Sequence, residues 1–192
     1  MGYGVISDVS NAIVNLLREA IVPDLVMNKD AIGLCTPEDK NDIVVGVNLY
    51  DVRESEEVMS MGMKNDGMKS QTFPSTFLSL YYMITVYSGS DVKFRAEEEQ
   101  RIFGKIIQMF KDYPILTGSF LGEDKSGSRY KVKIEMQQID RYEKIRLWNS
   151  PNIPYKLSMF YKVYPVEITS MKKQEIARVV DLDFTVEEKE QE

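Results

Sequence analysis

The 192-residue sequence contains no histidine and only one cysteine, Cys35. The absence of histidine excludes Ser-His-Asp and Cys-His nucleophiles, a histidine general base near neutral pH, and every zinc or iron site that needs an imidazole ligand. A single cysteine cannot form an intramolecular disulfide. Every uninterrupted apolar run is far shorter than the roughly 20 residues that span a bilayer, so the sequence predicts no membrane span.

Basic residues are also in deficit, with 24 Lys and Arg against 30 Asp and Glu and a formal net charge of −6. Binding to phosphate backbones without regard to sequence depends on Lys and Arg, so we expect no nucleic-acid partner. The first residues lack the basic and apolar segments of a secretory signal, which predicts synthesis in the cytoplasm. We predict one domain over residues 1–186 and a disordered acidic tail at residues 187–192.

The spacing of apolar residues predicts two principal helices. The first carries Val9, Ile13 and Leu17 on one face, begins at a cap formed by Ser7 or Asp8, and ends near Ile21 because of Pro23. The second runs from residue 91 to about residue 112. Its three glutamates, residues 97–99, lie towards the N-terminus, where they suit the helix dipole and need no metal or acid-base role.

Alternating apolar residues predict strands, with a short amphipathic turn or helix over residues 139–148. The strands are expected at residues 43–52, 77–87, 130–136 and 155–164, and residues 176–186 are expected to form one more strand or an extended arm. The segment 77–87 is apolar on both faces, which indicates a central position or a subunit contact. Pro165 should end the pairing of its strand or place that strand at an edge. The order predicts an α+β fold, a mainly antiparallel twisted sheet with two principal helices packed on it.

About twenty residues, from Arg53 to Pro74, show no core-forming period, and loops of that length are usually functional or disordered. Methionine side chains adapt to irregular partner surfaces, so we interpret this segment as an assembly loop. The other interpretation is a flexible loop with incidental methionines. The candidate interface residues in it are Arg53, Glu54, Glu56, Glu57, Met59, Met61, Met63 and Met68. Trp148, close to Pro151, is either an exposed anchor for a partner or a core residue.

The sequence offers no constellation that carries catalysis. The glycines of GYGVIS and GEDKSGSR lack the spacing of a dinucleotide loop or a phosphate loop. Cys35 has no histidine to activate it. Neighbouring aspartates, such as Asp181 and Asp183, lack the pattern of a calcium loop. We therefore assign no catalytic, cofactor-binding or metal-binding residue, expect no cofactor, and predict that the protein is not an enzyme.

Several stretches together carry a resemblance to a known family. They are SDVSNAIVNLLRE, GLCTPEDKNDIVVGVNLYDVRESEE, FLSLYYMITVYS, FRAEEEQRIFGKIIQMF and LWNSPNIPYKLSMFYKVYPVEI. Over residues 4–186 the chain resembles the cap, or tail-terminator-like, family of extracellular contractile injection systems. These are the phage-tail-like particles typified by the Photorhabdus virulence cassettes and the antifeeding prophage. The resemblance lies in the joint order of the segments.

The resemblance implies a structural protein with a sheet flanked by helices. It implies a homohexameric ring that closes the distal end of the inner tube and contacts the last sheath layer, with the tube protein, the sheath protein and other copies of the chain as partners. It also implies assembly in the cytoplasm and later release within an extracellular particle. Residues 53–69 would then reach a neighbouring protomer or the tube, and the three glutamates in that segment would meet basic residues there.

Three alternatives remain open at this stage. The chain could be a baseplate or sheath-associated adaptor of the same particle, or a generic protein-protein interaction domain. It could also be an enzyme without histidine, such as a glycosidase that uses two carboxylates; that alternative requires a pocket with two carboxylates about 5 to 10 Å apart.

Overall fold

The computed structural model describes residues 2–60, 62–67, 70–116, 131–148 and 153–175. Their helices and strands are, in chain order, α1 (Val5–Ile21), a 3-10 turn (Lys29–Ala31), β1 (Ile32–Leu34), β2 (Val45–Glu54), β3 (Lys64–Asn65), β4 (Ser70–Thr72), β5 (Thr76–Val86), α2 (Val92–Asp112), β6 (Ile115–Leu116), β7 (Val132–Met136), α3 (Arg141–Arg146), β8 (Ser158–Ile168) and β9 (Lys173–Glu175). The predicted strand or arm at residues 176–186 and the predicted tail at residues 187–192 lie outside the described residues.

Six strands form the main sheet, in the order β1-β2-β5-β8-β7-β6. Every neighbouring pair is antiparallel except β1 and β2, which run parallel. The predicted α+β fold with a mainly antiparallel sheet is therefore confirmed, with the difference that the sheet is mixed. A second sheet of three short strands has the order β3-β4-β9, and we call it the small sheet.

Helices α1 and α2 contribute to one large apolar core with the main sheet. Ile13 and Leu17 of α1 and Ile102 and Ile106 of α2 are completely buried, as their helical spacing predicts. The predicted C-terminal ends of α1 and α2 and the predicted start of α2 are confirmed within about one residue. The predicted cap is wrong, because the N-cap of α1 is Gly4 and the helix has begun before Ser7.

The opposite face of the main sheet carries a smaller apolar cluster, formed by Met83, Tyr87, Trp148 and Phe160. The residues that follow α3 cover part of this face, since Leu147 packs against the cluster. Strand β5 lies between β2 and β8 and has buried residues on both faces. Its two-sided apolar pattern therefore comes from a central position in the sheet, which was one of the two predicted explanations.

The prediction for Pro165 is confirmed in part. The pairing of β8 with β7 ends at Tyr164, the residue before Pro165, but β8 itself continues to Ile168 alongside β5. The register with β5 shifts at this point: Leu78 pairs with Val166, whereas Leu80 pairs with Val163. The extra residue in β8 forms a bulge, where a residue without an N–H group does not interrupt the ladder.

The segment from Arg53 to Pro74 also differs from the prediction, since it contains β3 and β4 instead of an irregular loop throughout. These strands form a hairpin, and β4 pairs with β9 on its other side. The backbone N–H of Phe73 donates to the carbonyl of Lys172 at 3.0 Å, between the β5–β8 ladder and the β4–β9 ladder. The small sheet thus prolongs the central strands of the main sheet beyond the core.

Candidate assembly surface

The candidate surface begins where β2 leaves the core. Arg53 is 59% exposed, and its Nε donates a 2.6 Å hydrogen bond to Oδ2 of Asp51. The Arg53 guanidinium carbon also lies 4.9 Å from the centre of the Tyr81 ring, on the neighbouring strand β5. Arg53 is thus held against the sheet by a carboxylate and an aromatic ring, while much of its side chain remains accessible to a partner.

The three predicted glutamates have different surroundings. Glu57 forms an ion pair with Lys162 of β8, and the Ser55 hydroxyl donates to its other carboxylate oxygen at 2.9 Å. Burial raises the pKa of Glu57, but the hydrogen bonds from Lys162 and Ser55 outweigh it and hold that pKa below the usual range. Glu54 and Glu56 are exposed and form no ion pair within the described part of the chain. These two carboxylates are the ones available to a neighbouring molecule.

The methionines of the segment divide in the same way. Met59 is 83% exposed and Met63 is 42% exposed, so both present thioethers to the surroundings. Met61 and Met68 lie outside the described residues. Exposed thioethers can adapt to an irregular partner surface, and the part of these methionines in assembly stays a prediction.

Two ion pairs stabilise the small sheet: one connects it to the main sheet, and the other lies within it. Lys64 of β3 lies 3.1 Å from Glu167 of β8, whose side chain is only 6% exposed. Lys173 of β9 lies 2.5 Å from Asp66 in the hairpin turn, and both of those side chains are about half exposed. The hairpin is therefore held in place beside the candidate surface by contacts that sequence analysis did not predict.

An aromatic and cationic cluster that the sequence does not predict lies on the same face. Lys162 lies 4.6 Å from the centre of the Tyr164 ring and 5.9 Å from that of Tyr81. Tyr50 packs edge-on against Phe160, with ring centres 5.8 Å apart. These residues come together only through the pairing of β2, β5 and β8. The sequence carries one signal for this cluster, the alternation of side chains along each strand. That alternation shows which face of the sheet a side chain occupies, but it does not show which strand pairs with which.

The last predicted interface residue, Trp148, is 5% exposed and belongs to the small cluster on the second face of the main sheet. Its ring meets that of Tyr155 in an edge-on contact, with centres 6.2 Å apart. Trp148 is therefore a core residue, as the second of the two sequence interpretations states. Its part in assembly stays a prediction.

The described residues contain no group of three or more acidic or cysteine side chains that could hold a metal ion. Burial raises the pKa of the Cys35 thiol, and the charge of Lys40 lowers it by less, so the neutral thiol is the form present near pH 7. None of the helices in the described ranges has the length and apolar character needed to cross a membrane.

Comparison with known proteins gives a family match and a shared fold. The family model described as the Pvc16 N-terminal domain matches residues 8–181. The fold is similar to that of a chain in the cryo-EM structure of the sheath/tube terminator of PVC, an extracellular contractile injection system, in the extended state. The two share 18% sequence identity and a TM-score of 0.66, over 96% of this chain and 64% of that chain.

A second similar structure is the tube-terminating cap of the anti-feeding prophage, AFP, also determined by cryo-EM. The identity is 18% and the TM-score is 0.58, over 94% of this chain and 61% of that chain. The chain therefore spans a little over three fifths of each of these proteins. No curated protein has significant sequence similarity to it.

Proposed function

The chain belongs to the Pvc16 N-terminal domain family, and from this membership we propose that it is a structural cap, or terminator, of a contractile phage-tail-like injection particle. In this role it forms a ring of copies that closes the distal end of the inner tube and contacts the last sheath layer. The proposal takes the particle to be assembled in the cytoplasm and then released. The role is one of structure and assembly, without catalysis.

The observation that carries the proposal is the family match over residues 8–181, together with a fold that is similar to two tube terminators along nearly the whole chain. The accessible residues around the end of β2 support an assembly role. Glu54 and Glu56 are exposed and form no direct ion pair among the described residues, and Met59 exposes a large apolar side chain. A ring of identical copies needs two different patches that meet in a head-to-tail contact.

The first test is the native mass of the purified chain by light scattering. Six copies of the 22.2 kDa chain have a mass of about 133 kDa. A particle of that mass supports a self-closing ring. A monomer requires a second measurement, in which the chain is mixed with assembled tubes and its position is labelled in electron micrographs. Label at the end distal to the baseplate supports the cap, and label at the baseplate or along the sheath overturns it.

Charge reversal tests whether the end of β2 belongs to the assembly surface. Glu56→Lys should prevent capping of particles, because the exposed carboxylate would meet basic residues of a neighbour. Glu57→Gln is the matched control, since it removes a carboxylate that already has a partner, Lys162, in its own chain. Unchanged capping by Glu56→Lys would exclude this residue from the interface.

The exposed methionines provide a second test. The variant with Met59→Ser and Met63→Ser should weaken ring formation and leave the melting temperature of the monomer unchanged, because neither side chain is buried in the described structure. A parallel loss of melting temperature would place these residues in the core of the protomer instead.

A further inference from the structure

The main sheet has an open edge along β2. Strand β1 pairs only with residues 45–47 of β2, and the last hydrogen bond of this ladder runs from the Cys35 N–H to the Val47 carbonyl at 3.2 Å. Within the described ranges, no strand pairs with the outer side of Asn48–Glu54, although its inner side pairs with β5 along its length. Unpaired N–H and C=O groups along a strand are a template for another strand.

An apolar groove lies beside this open edge, between α1 and the end of β1. Its volume is about 620 Å³, and its lining includes Tyr3, Ile6, Leu34 and Leu49. Tyr3 is 95% exposed and Leu34 is 48% exposed, so two large side chains are left without cover in the protomer. A strand that added to the edge in line with β1 would place every second side chain in this groove.

One segment of the chain has the pattern that such a site selects. In residues 179–186, VVDLDFTV, the side chains of Val180, Leu182, Phe184 and Val186 alternate with those of Asp181, Asp183 and Thr185. In an extended conformation one face is apolar and the other is polar. The described part of the chain ends at Glu175, so 17 residues follow it, and at about 3.3 Å per residue they have ample length to reach a neighbouring molecule.

The positions of this segment and of the open edge favour a contact in which one copy donates the segment and a different copy accepts it. Strand β4 prolongs β5 and β9 prolongs β8, so β9 leaves the body on the β8 side of the central strand. The open edge of β2 lies on the opposite side of β5. A segment donated on one side and accepted on the other gives a head-to-tail contact, which closes into a ring if the rotation between copies permits.

We propose that residues 179–186 of one copy add as a strand to the open edge of β2 in a second copy, with their apolar side chains in the groove beside Leu34. This inference rests on the proposed ring and names the contact that forms it. The polar face of the added strand, with Asp181 and Asp183, points away from the groove.

The test is photo-cross-linking of the full chain with p-benzoylphenylalanine in place of Leu34. Equal amounts of ¹⁴N-labelled and ¹⁵N-labelled protein are mixed, alone and on tube ends, and the cross-linked peptides are identified by mass spectrometry. We expect mixed-isotope cross-links to residues 179–186. The same reagent in place of Leu157, which is 58% exposed and does not line the groove, should give none to that segment.

A pair of donor variants makes the test specific. Leu182→Asp with Phe184→Asp should lower the cross-link yield at least about tenfold, because burial of each of these side chains contributes more than the free energy of one tenfold step. Asp181→Ser with Asp183→Ser changes the other face and should leave the yield within about twofold. In this proposal the segment is bound to a second copy, so neither pair of changes should move the melting temperature of the isolated monomer.

Each result separates this inference from the proposed function. Cross-links within one isotope label only would overturn the second copy as donor and assign the segment to its own edge. Rings or capped tubes without any cross-link to residues 179–186 would overturn the inference and leave the cap function standing. Absence of both rings and capped tubes would instead contradict the cap function itself.

Discussion

The main sheet and the small sheet prolong the same central strands but are stabilised in different ways. In the main sheet, Leu80, Tyr82 and Ile84 of β5 are completely buried under the helices. In the small sheet, β3 and β9 are exposed throughout, and the strands are held by short ladders, by ion pairs and by a 3.0 Å hydrogen bond from Gln71 to Asn65. Apolar burial stabilises the first region, while short ladders and polar contacts hold the second region.

The largest expected effect is in the core under the main sheet. Ile106→Ala should lower the free energy of unfolding by about 2 to 5 kcal/mol, because Ile106 is completely buried between α2 and the sheet. The matched change in the small sheet, Gln71→Ala, removes one exposed hydrogen bond and should cost less than about 0.5 kcal/mol. Urea unfolding of both variants measures the difference. Equal losses would show that the small sheet is as tightly coupled to the core as α2 is.

A smaller effect is expected at Gly46 in β2. A Cβ atom at this position would lie 2.5 Å from Sγ of Cys35 and 3.1 Å from the Tyr87 ring. Gly46→Ala should therefore lower the free energy of unfolding by about 1 to 3 kcal/mol, because neighbours in the sheet must shift. Gly89→Ala, where a Cβ meets no atom within 4 Å, is the control. A neutral Gly46→Ala would mean that Cys35 moves aside without strain.

The contrast between the two sheets also explains how far the sequence predicts the fold. The helix ends and the alternation of β5 followed from apolar spacing, because burial imposes the periods of 3.6 and 2 on the chain. The small sheet has few apolar residues, and its pairing comes from backbone hydrogen bonds that any sequence can form. For the same reason β3 and β4 were missed, and residues 53–74 were predicted as a loop.

The candidate surface was predictable only in part. The exposure of Glu54 and Met59 agrees with a segment that lacks a core pattern, and their part in assembly stays a prediction. The partners of Glu57 and Arg53 did not follow, because Lys162 and Tyr81 lie on other strands and register is set by the whole sheet. The bulge at Pro165 was missed for a similar reason: the sequence shows the missing N–H group and does not show the register shift that accommodates it.

The two ion pairs that involve the small sheet should differ in strength. Lys64→Met leaves the buried carboxylate of Glu167 without this ammonium group and should lower the free energy of unfolding by about 1 to 2 kcal/mol. Lys173→Met breaks a pair that is about half exposed on both sides and should cost less than about 0.5 kcal/mol. Thermal unfolding at low and high salt would compare them. A larger loss for Lys173→Met would mean that the outer strand β9 holds the hairpin in place.

The smallest expected effect is a pH dependence at the junction between the two sheets. The pKa of Glu57 is lower in the folded chain than its ordinary value of 4.5, so the unfolded chain binds its proton first as the pH falls. The stability that Glu57 contributes is present at neutral pH and is lost as the pH falls through 4.5 towards the folded pKa. Glu57→Gln should therefore give a flatter decline of stability between pH 6 and pH 3 than the parent chain.

Glu98 provides the matched comparison, because its pKa is also lowered, in this case by hydrogen bonds from the hydroxyls of Ser88 and Ser90. Its partners are neutral, whereas Glu57 has the charged partner Lys162. In 1 M salt, where charges are screened over about 3 Å, the effect of Glu57→Gln on the pH profile should shrink and that of Glu98→Gln should persist. If the effect of Glu57→Gln persists in 1 M salt as fully as that of Glu98→Gln, the Ser55 hydroxyl, and not the Lys162 ammonium group, holds the Glu57 carboxylate in its ionised form.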